Sequence, residues 1–420
     1  MFRFSLVLQF TWALASFSQP YQDPQTCVIP YPLLPPRSET CIPSKNVIAE
    51  QKSSTYQAAS PVKTWISSGL CRGTRVDKFC VYTHPSFNHG QGVSIITTGK
   101  SISTIATRPA FKDGDEGVAP KSTAPYREVE IEGKDIGLVA TRTIKAGELI
   151  MARTPGLMVN ENAIHKLGKK TVSELLIRAV DDLPSQHREG LLNLSTHSAA
   201  SDYGNRIYKI LQTNSFRTGY HDGDNPFYSL FAEVSRLNHD CRPNCAYYFD
   251  HLDFHQKVLA VRDIEVGEEL TIAYYDPVQI HSVRQEKLHK EWGFHCSCKR
   301  CTADAPSIAE SDSRIKQIIA LRNELDDHSA TSKASPEKAK LLVSLYEEEG
   351  ILTRVNEAYY RAAIEYIGVG DIENATKYAT LCVDHGSQFI GPDRPFIKEM
   401  QELIADPRNH PKWKFRSRAD

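Results

Sequence analysis

The stretch Asn238-His239-Asp240-Cys241-Arg242-Pro243-Asn244 crowds amide, imidazole, carboxylate, thiol and guanidinium groups into a few consecutive positions. An apolar region follows, with strand-like runs at Tyr247-Tyr248-Phe249 and Val258-Leu259-Ala260-Val261. Next comes Glu268-Glu269-Leu270-Thr271-Ile272-Ala273-Tyr274-Tyr275-Asp276. Cys296-x-Cys298-x-x-Cys301 then supplies three thiols within one turn-sized segment. Tetrahedral zinc takes four soft ligands, so three are incomplete. Cys241 is the expected fourth ligand, with Cys245 as its rival. Neighbours two positions apart have poor Cα geometry for a mutual disulfide, which favours metal over oxidation.

Upstream, Val129-Glu130-Ile131 alternates as a strand does, and Gly133 to Gly137 reads as a turn. Leu138-Val139-Ala140 and Leu149-Ile150-Met151 read as further strands, separated by the turn Lys145-Ala146-Gly147-Glu148. Between 160 and 212 the period changes. Leu175, Leu176 and Val180, then Leu191, Leu192 and Leu194, sit at helical spacing, so a helical insert interrupts a β region. Strand character returns through Leu270 to Tyr274. After Cys301 the pattern is helical throughout. Asn356–Ile367 and Ile372–Val383 flank Gly368-Val369-Gly370-Asp371 as an antiparallel pair whose small residues Ala362, Ala363, Ala375 and Ala379 permit close packing. The pair looks like a tetratricopeptide-type hairpin, although no clean repeat period accompanies it.

The chain has 420 residues, a net charge of −1 and 40% hydrophobic residues. That is room for two or three domains with ordinary cores, and no overall field to draw it to nucleic acid or an anionic membrane. The basic stretch Lys412–Arg418 reads as a solvated tail. Arg3 precedes an apolar run from Phe4 to Ala15, and Ala13-Leu14-Ala15 has a small-x-small cleavage pattern. This is the layout of a signal peptide, too short to span a bilayer. Residues 19 to 60 are rich in Pro, Ser and Gln and read as a loose leader. Short β-prone runs, Phe79-Cys80-Val81-Tyr82 and Val93-Ser94-Ile95-Ile96, come next, and 100 to 123 turn polar and mark a boundary. The resulting division is 1–18 signal peptide, 19–122 N-terminal region, 123–303 central domain and 304–420 helical domain. Behind a signal peptide, Cys27, Cys41, Cys71 and Cys80 suggest two disulfides, with three connectivities open.

Taken in order, the Asn-His-x-Cys-x-Pro-Asn element, the Glu-Glu-Leu-Thr-Ile-x-Tyr element and the Cys-rich tail resemble the SET-domain methyltransferases, from about Tyr126 to Cys301. Thr213-Asn214-Ser215-Phe216 and Trp292-Gly293-Phe294 resemble the branch containing the SET and MYND proteins and their fungal relatives. The interval Ile150 to Asn214 holds no cysteine, so the chain looks MYND-less and no docking through MYND is inferred. The family's Gly-x-Gly loop appears as Gly133-Lys134-Asp135-Ile136-Gly137-Leu138, with Asp135 in the first glycine's place. The upstream Gly90-x-Gly92 has no supporting context.

The resemblance implies an α+β SET fold with a helical insert, a zinc-bound post-SET segment and a helical C-terminal region. It implies methyl transfer from S-adenosylmethionine to a lysine amine. Tyr274 is the expected catalytic residue, orienting the amine, while Tyr275 points to the opposite face. Ile136, Gly137, Leu138, Asn214, Asn238, His239 and Phe294 are the expected donor contacts, and Cys241, Cys296, Cys298 and Cys301 the structural zinc ligands. The implied partner is a protein with an exposed lysine. No direct nucleic-acid contact and no membrane span are expected, and a monomer is. Two other readings compete: a SET-fold interaction module without catalysis, for which Asp135 is the first suspect, and a secreted disulfide-stabilised protein. The family expects the nucleus or cytoplasm, whereas the leader points to secretion, where Asn193-Leu194-Ser195 and Asn374-Ala375-Thr376 would be glycosylation acceptors.

Overall fold

The structure, a computed structural model, describes residues 65–111, 124–219, 226–329 and 331–417. The signal-peptide and leader expectations, and Cys27 and Cys41, lie outside the described residues. The described strands in chain order are β1 (Ile66–Gly73), β2 (Lys78–His84), β3 (Val93–Thr97), β4 (Tyr126–Ile131), β5 (Asp135–Ala140), β6 (Leu149–Arg153), β7 (Leu157–Asn160), β8 (Phe216–Thr218), β9 (Phe227–Leu230), β10 (Asn238–His239), β11 (Cys245–Asp250), β12 (His255–Ala260) and β13 (Glu269–Ile272). They form three sheets, ordered β1-β2-β3-β7-β9-β8, β10-β13-β5-β4 and β11-β12-β6. With the helices between and after them, the fold is α+β.

The first sheet is covered on both faces, and the period-two alternation of its strands explains why. Val93 and Ile95 of β3, with Met158 of β7, enter one core with the other two sheets. Ile96, Leu157 and Val159 enter a second core on the opposite face. That face is closed by helix Lys169–Asp181, whose buried Val172, Leu175, Leu176, Ala179 and Val180 repeat at helical spacing. Each such large side chain contributes about 1.5–3 kcal/mol on burial. β3 pairs parallel with β7, so strands that precede residue 98 complete the sheet of the central region. Cys71 and Cys80 face each other across β1 and β2 and are disulfide-bonded.

The element that positions the site is the parallel pair β10–β13, with Asn238 opposite Thr271 and His239 opposite Ile272. Asn244 reinforces it. Its buried side chain accepts from the Thr271 amide (2.8 Å) and donates to the Glu269 carbonyl (2.8 Å), in place of a ladder bond. The C-terminal unit comprises helices Ala305–Leu325, Pro336–Glu349, Asn356–Val369, Ile372–Phe389 and Pro395–Ala405 around a core of their own. It rests on the sheets through Phe389, which packs with Tyr248 and Leu259. Its buried charges also reach toward the site. Glu349 pairs with Arg242 (2.7 Å), and Arg322 and Arg354 lie 3.9 and 3.8 Å from Asp276.

Several elements depart from the sequence pattern. The expected turn Gly133–Gly137 is shorter, because β5 begins at Asp135. The expected strand Leu270–Tyr274 stops at Ile272. Past that point the Tyr274 amide is satisfied by the His239 ring nitrogen (3.1 Å) and no longer by a neighbouring strand. The polar stretch read as a boundary opens with helix Gly99–Ile105, which buries only Ser101, Ile102 and Ile105. Among the described residues no helix is long and apolar enough to cross a membrane.

Candidate active site and metal centre

A cavity of about 570 Å³ opens where five segments converge: the β4–β5 turn, the Ser195–His197 loop, Asn214, the Asn238–His239 pair with Tyr274, and Trp292 to Ser297. Each segment arrives for a local reason. Helix Tyr203–Asn214 is capped by Asp202, which accepts from the Asn205 amide, and ends as Ser215 turns to extended backbone, leaving Asn214 at the cavity. The Asn214 amide group is spent inside the protein, donating to the carbonyls of Ser195 and Ile210 (2.9 Å each). Helix His281–Trp292 ends at Gly293, whose φ of 79° lets the chain reverse and bring Phe294 and Cys296 back to the cavity.

Tyr274 and Tyr275 face different ways, as expected, although both lie past the end of β13 at Ile272. The Tyr274 hydroxyl donates to the Leu237 carbonyl (3.0 Å), and its ring packs against Trp292 (centroids 5.3 Å apart). Burial, with the negative charge of Glu269 adding to it, pushes the Tyr274 pKa well above its ordinary value. The group is therefore a neutral hydrogen-bonding hydroxyl at physiological pH. Tyr275 turns the other way, toward Cys241, with its hydroxyl 3.7 Å from the sulfur. His239 lies between them, stacked on Tyr275 (5.2 Å) and 6.4 Å from Phe294.

The sulfurs of Cys241, Cys296, Cys298 and Cys301 all lie within 4.8 Å of one another, and all four residues are buried. Cys241 is 3.9 Å from Cys296 and 3.5 Å from Cys301. A tetrahedron of sulfurs at the usual Zn–S distance has edges of about 3.8 Å. The four thiols therefore fit zinc with no open position, and the ion would be structural. Cys245 is not in the group: it sits on β11 with its thiol toward the Asn244 side chain (3.4 Å). Arg284, almost fully buried, brings its guanidinium to 3.9 Å from the Cys301 sulfur, and its charge offsets the excess of four thiolates. The Gln285 side chain clamps both the amide and the carbonyl of Cys296 (2.9 Å each).

Residues 135–275 match the SET domain. The chain carries a SET domain. It is similar to histone-lysine N-methyltransferase set5 of Schizosaccharomyces pombe, 26% identical over 69% of this chain and 87% of that protein. It is also similar to human histone-lysine N-methyltransferase SMYD3, 37% identical over 27% of this chain and 26% of that protein. Mouse histone-lysine N-methyltransferase Smyd1 is 25% identical over 40% of this chain and 38% of that protein. The SET-domain chain thus spans most of the yeast relative but well under half of the two mammalian ones. It is related to the SET and MYND proteins.

The cavity gathers Ile136, Asn214, Asn238, His239 and Tyr274 from the SET domain and Phe294 from the segment after it, all from the sequence-predicted set. Leu138 is not part of its lining and is buried in the central core. Gly137 stands behind the cavity wall. A Cβ there would lie 2.7 Å from the Asn238 amide nitrogen and 3.1 Å from the Glu269 carboxylate, so only glycine admits this approach. Sequence reasoning missed Lys134, Trp292, the Ser195–His197 loop, Glu269 and Arg284. No periodicity marks them, and their relevance comes from partners far along the chain. Trp292 was quoted only as part of a lead-in, yet its indole nitrogen donates to the Thr213 carbonyl (3.2 Å) and fixes one wall.

Asp135 occupies the left-handed region (φ 61°), where a glycine would be free of strain, and its carboxylate accepts from the exposed Ser195 hydroxyl (3.1 Å). Aspartate tolerates this conformation better than most residues. Asp135→Gly is therefore expected to change stability by no more than about 1 kcal/mol. Asp135→Val, β-branched at positive φ, is expected to lower it by more. Thermal unfolding would check the pair.

Proposed function

We propose that this SET-domain chain is a protein-lysine methyltransferase that uses S-adenosylmethionine. The observation that carries the reading is the Tyr274 hydroxyl, held neutral in an aromatic-walled cavity beside the Asn238–His239 pair. The methyltransferase names of the relatives support the reaction class. When bound, the donor supplies an electrophilic methyl group on a sulfonium, and the lysine nitrogen forms the new C–N bond as the C–S bond breaks. The chain's own residues do the rest. Trp292 and Phe294 exclude water and disfavour the charged ammonium, which helps the lysine lose its proton. Tyr274 orients the free amine by its hydroxyl and remains protonated. Cys241, Cys296, Cys298 and Cys301 would hold a structural zinc ion, which would order the segment that carries Phe294 and supply no chemistry of its own.

Tyr274→Phe is expected to bind the donor with affinity close to wild type and to lower methyl transfer by roughly a hundredfold. Labelled-methyl transfer to a lysine peptide library reads the second quantity. Transfer undiminished in the variant would remove Tyr274 from the mechanism. A wild-type chain that binds the donor yet labels nothing would favour the interaction-module reading.

In the same proposal the C-terminal helical unit is tetratricopeptide-like, its helices Asn356–Val369 and Ile372–Phe389 sharing one core. The leader-like Phe4–Ala15 run and the Cys71–Cys80 disulfide support passage through an oxidising compartment. Protein recovered from its source with an intact Met1 terminus would oppose that route.

A further inference from the structure

The chain holds two Asn-x-Ser/Thr sequences, Asn193-Leu194-Ser195 and Asn374-Ala375-Thr376, and the fold treats them differently. Asn374 lies in the first turn of helix Ile372–Phe389. Its side-chain nitrogen donates to the Asp371 carboxylate (2.7 Å), the same group that caps the helix, and Ala375 beside it is fully buried. A sugar there would crowd a half-buried position whose nitrogen is already spent. Asn193 is the exposed residue that ends helix Ser185–Leu192. Its backbone is tied at both ends. The amide donates to the Glu189 carbonyl (3.0 Å), and the carbonyl accepts from the Arg236 guanidinium (3.2 Å). Leu194 anchors the next position in the core under the helical insert. The Asn193 side chain has no hydrogen-bond partner among the described residues, and Ser195 is exposed as well. Arg236 and Ser195 both line the cavity, so Asn193 is held at its rim with its amide group turned to solvent.

We infer that Asn193 is an N-glycosylation site whose glycan stands at the rim of the cavity, and that Asn374 stays unmodified. The inference rests on the oxidising route given under the proposed function, where the co-reactant, an oligosaccharide carried on a lipid diphosphate, is met. The Asn193 Nδ2 bonds to the anomeric carbon of the sugar and gives up one proton, while the bond from that carbon to the diphosphate oxygen breaks and the lipid diphosphate leaves. A bulky hydrophilic group at this position displaces no buried contact. It stands next to residues 195–202, a mostly exposed stretch without helix or strand. Such stretches are preferred sites of proteolytic nicking, and a glycan at their base shields them. The Cys71–Cys80 disulfide suits the same compartment.

The test expresses the full chain with its own leader in a yeast host and reads its intact mass, its N-terminus and its glycopeptides. A single glycan is expected, mapped to Asn193. Asn193→Gln and Ser195→Ala should abolish it, Ser195→Thr should keep it, and Thr376→Ala should change nothing. An endoglycosidase should release the glycan from the folded protein, after which a protease of broad specificity should cut within residues 195–202 severalfold faster. A chain that has lost its leader yet carries no glycan on Asn193, or carries one on Asn374, overturns the inference and leaves the route standing. A chain that keeps Met1 and carries no glycan overturns the route and the site with it. Cutting at the same rate before and after trimming removes the shielding role. Glycopeptide mapping of the wild type decides the site even where a variant fails to fold.

Discussion

Cys241→Ser is expected to leave the purified chain without stoichiometric zinc and with donor affinity lowered by at least roughly tenfold, while Cys245→Ser leaves both unchanged. Structural zinc sites contribute on the order of 10 kcal/mol or more, and replacing one of four thiolates by a hydroxyl removes a substantial part of it. The cost would not stay at the metal. Cys296 and Ser297 line the cavity, and Phe294 enters it two residues before the first ligand of the tail. Without the tetrad, that wall would rest on the Gln285 clamp on Cys296, the Trp292 bond to Thr213 and ring contacts such as His295 stacked on His289 (4.5 Å). Metal analysis of the two variants, with calorimetric donor titration, decides the matter. Zinc bound by Cys241→Ser as tightly as by wild type would remove Cys241 from the ligand set.

The second large effect is expected at Glu349. Its fully buried carboxylate receives Arg242 and Arg314 (2.7 Å each) and the Ser311 hydroxyl (2.9 Å). Burial alone would raise its pKa, but the bonds from Arg242 and Arg314 outweigh that and hold it below the ordinary value. Glu349 also ends helix Pro336–Glu349, and its carbonyl accepts from Arg242 (2.6 Å), so one arginine satisfies both the side chain and the helix terminus. Glu349→Ala takes the buried carboxylate from Arg242, while Arg314 keeps Glu310 (2.9 Å) and Glu348 (3.2 Å), and the expected loss is about 3 kcal/mol of stability. The same Arg242 donates to the Cys241 carbonyl (2.6 Å), so zinc release should also quicken. Denaturant unfolding and chelator-driven zinc loss measure the two effects. A variant as stable as wild type, releasing zinc at the same rate, would show that the helical unit does not brace the metal centre.

Local pattern revealed the Cys296, Cys298 and Cys301 cluster, the two tyrosines of opposite facing and the helical insert, because each is written in spacing along a few turns of chain. The tetrad's fourth member was the harder choice, and Cys241 against Cys245 is decided by β11 carrying Cys245 away from the cluster. The long-range partners could not be read. Lys134 and Glu269 are 135 positions apart, and Arg242 and Glu349 are 107. A charged residue advertises that it needs a partner without saying which. The parallel pairing of β3 with β7 was equally hidden, since short apolar runs look alike whichever strand they join. Asp135 read as a defect in a glycine loop. In the fold it takes the glycine's own backbone conformation.

The tetrad joins Cys241 to Cys301, 60 positions later. A ribosome adds roughly 5–20 residues per second, so a growing chain exposes its first ligand several seconds before the last exists. Through that interval the thiol at Cys241 stands open to oxidants and to stray metals, and the wall bearing Phe294 has not yet been made. Zinc supply during translation, more than after it, would then set how much of the protein emerges with a finished cavity.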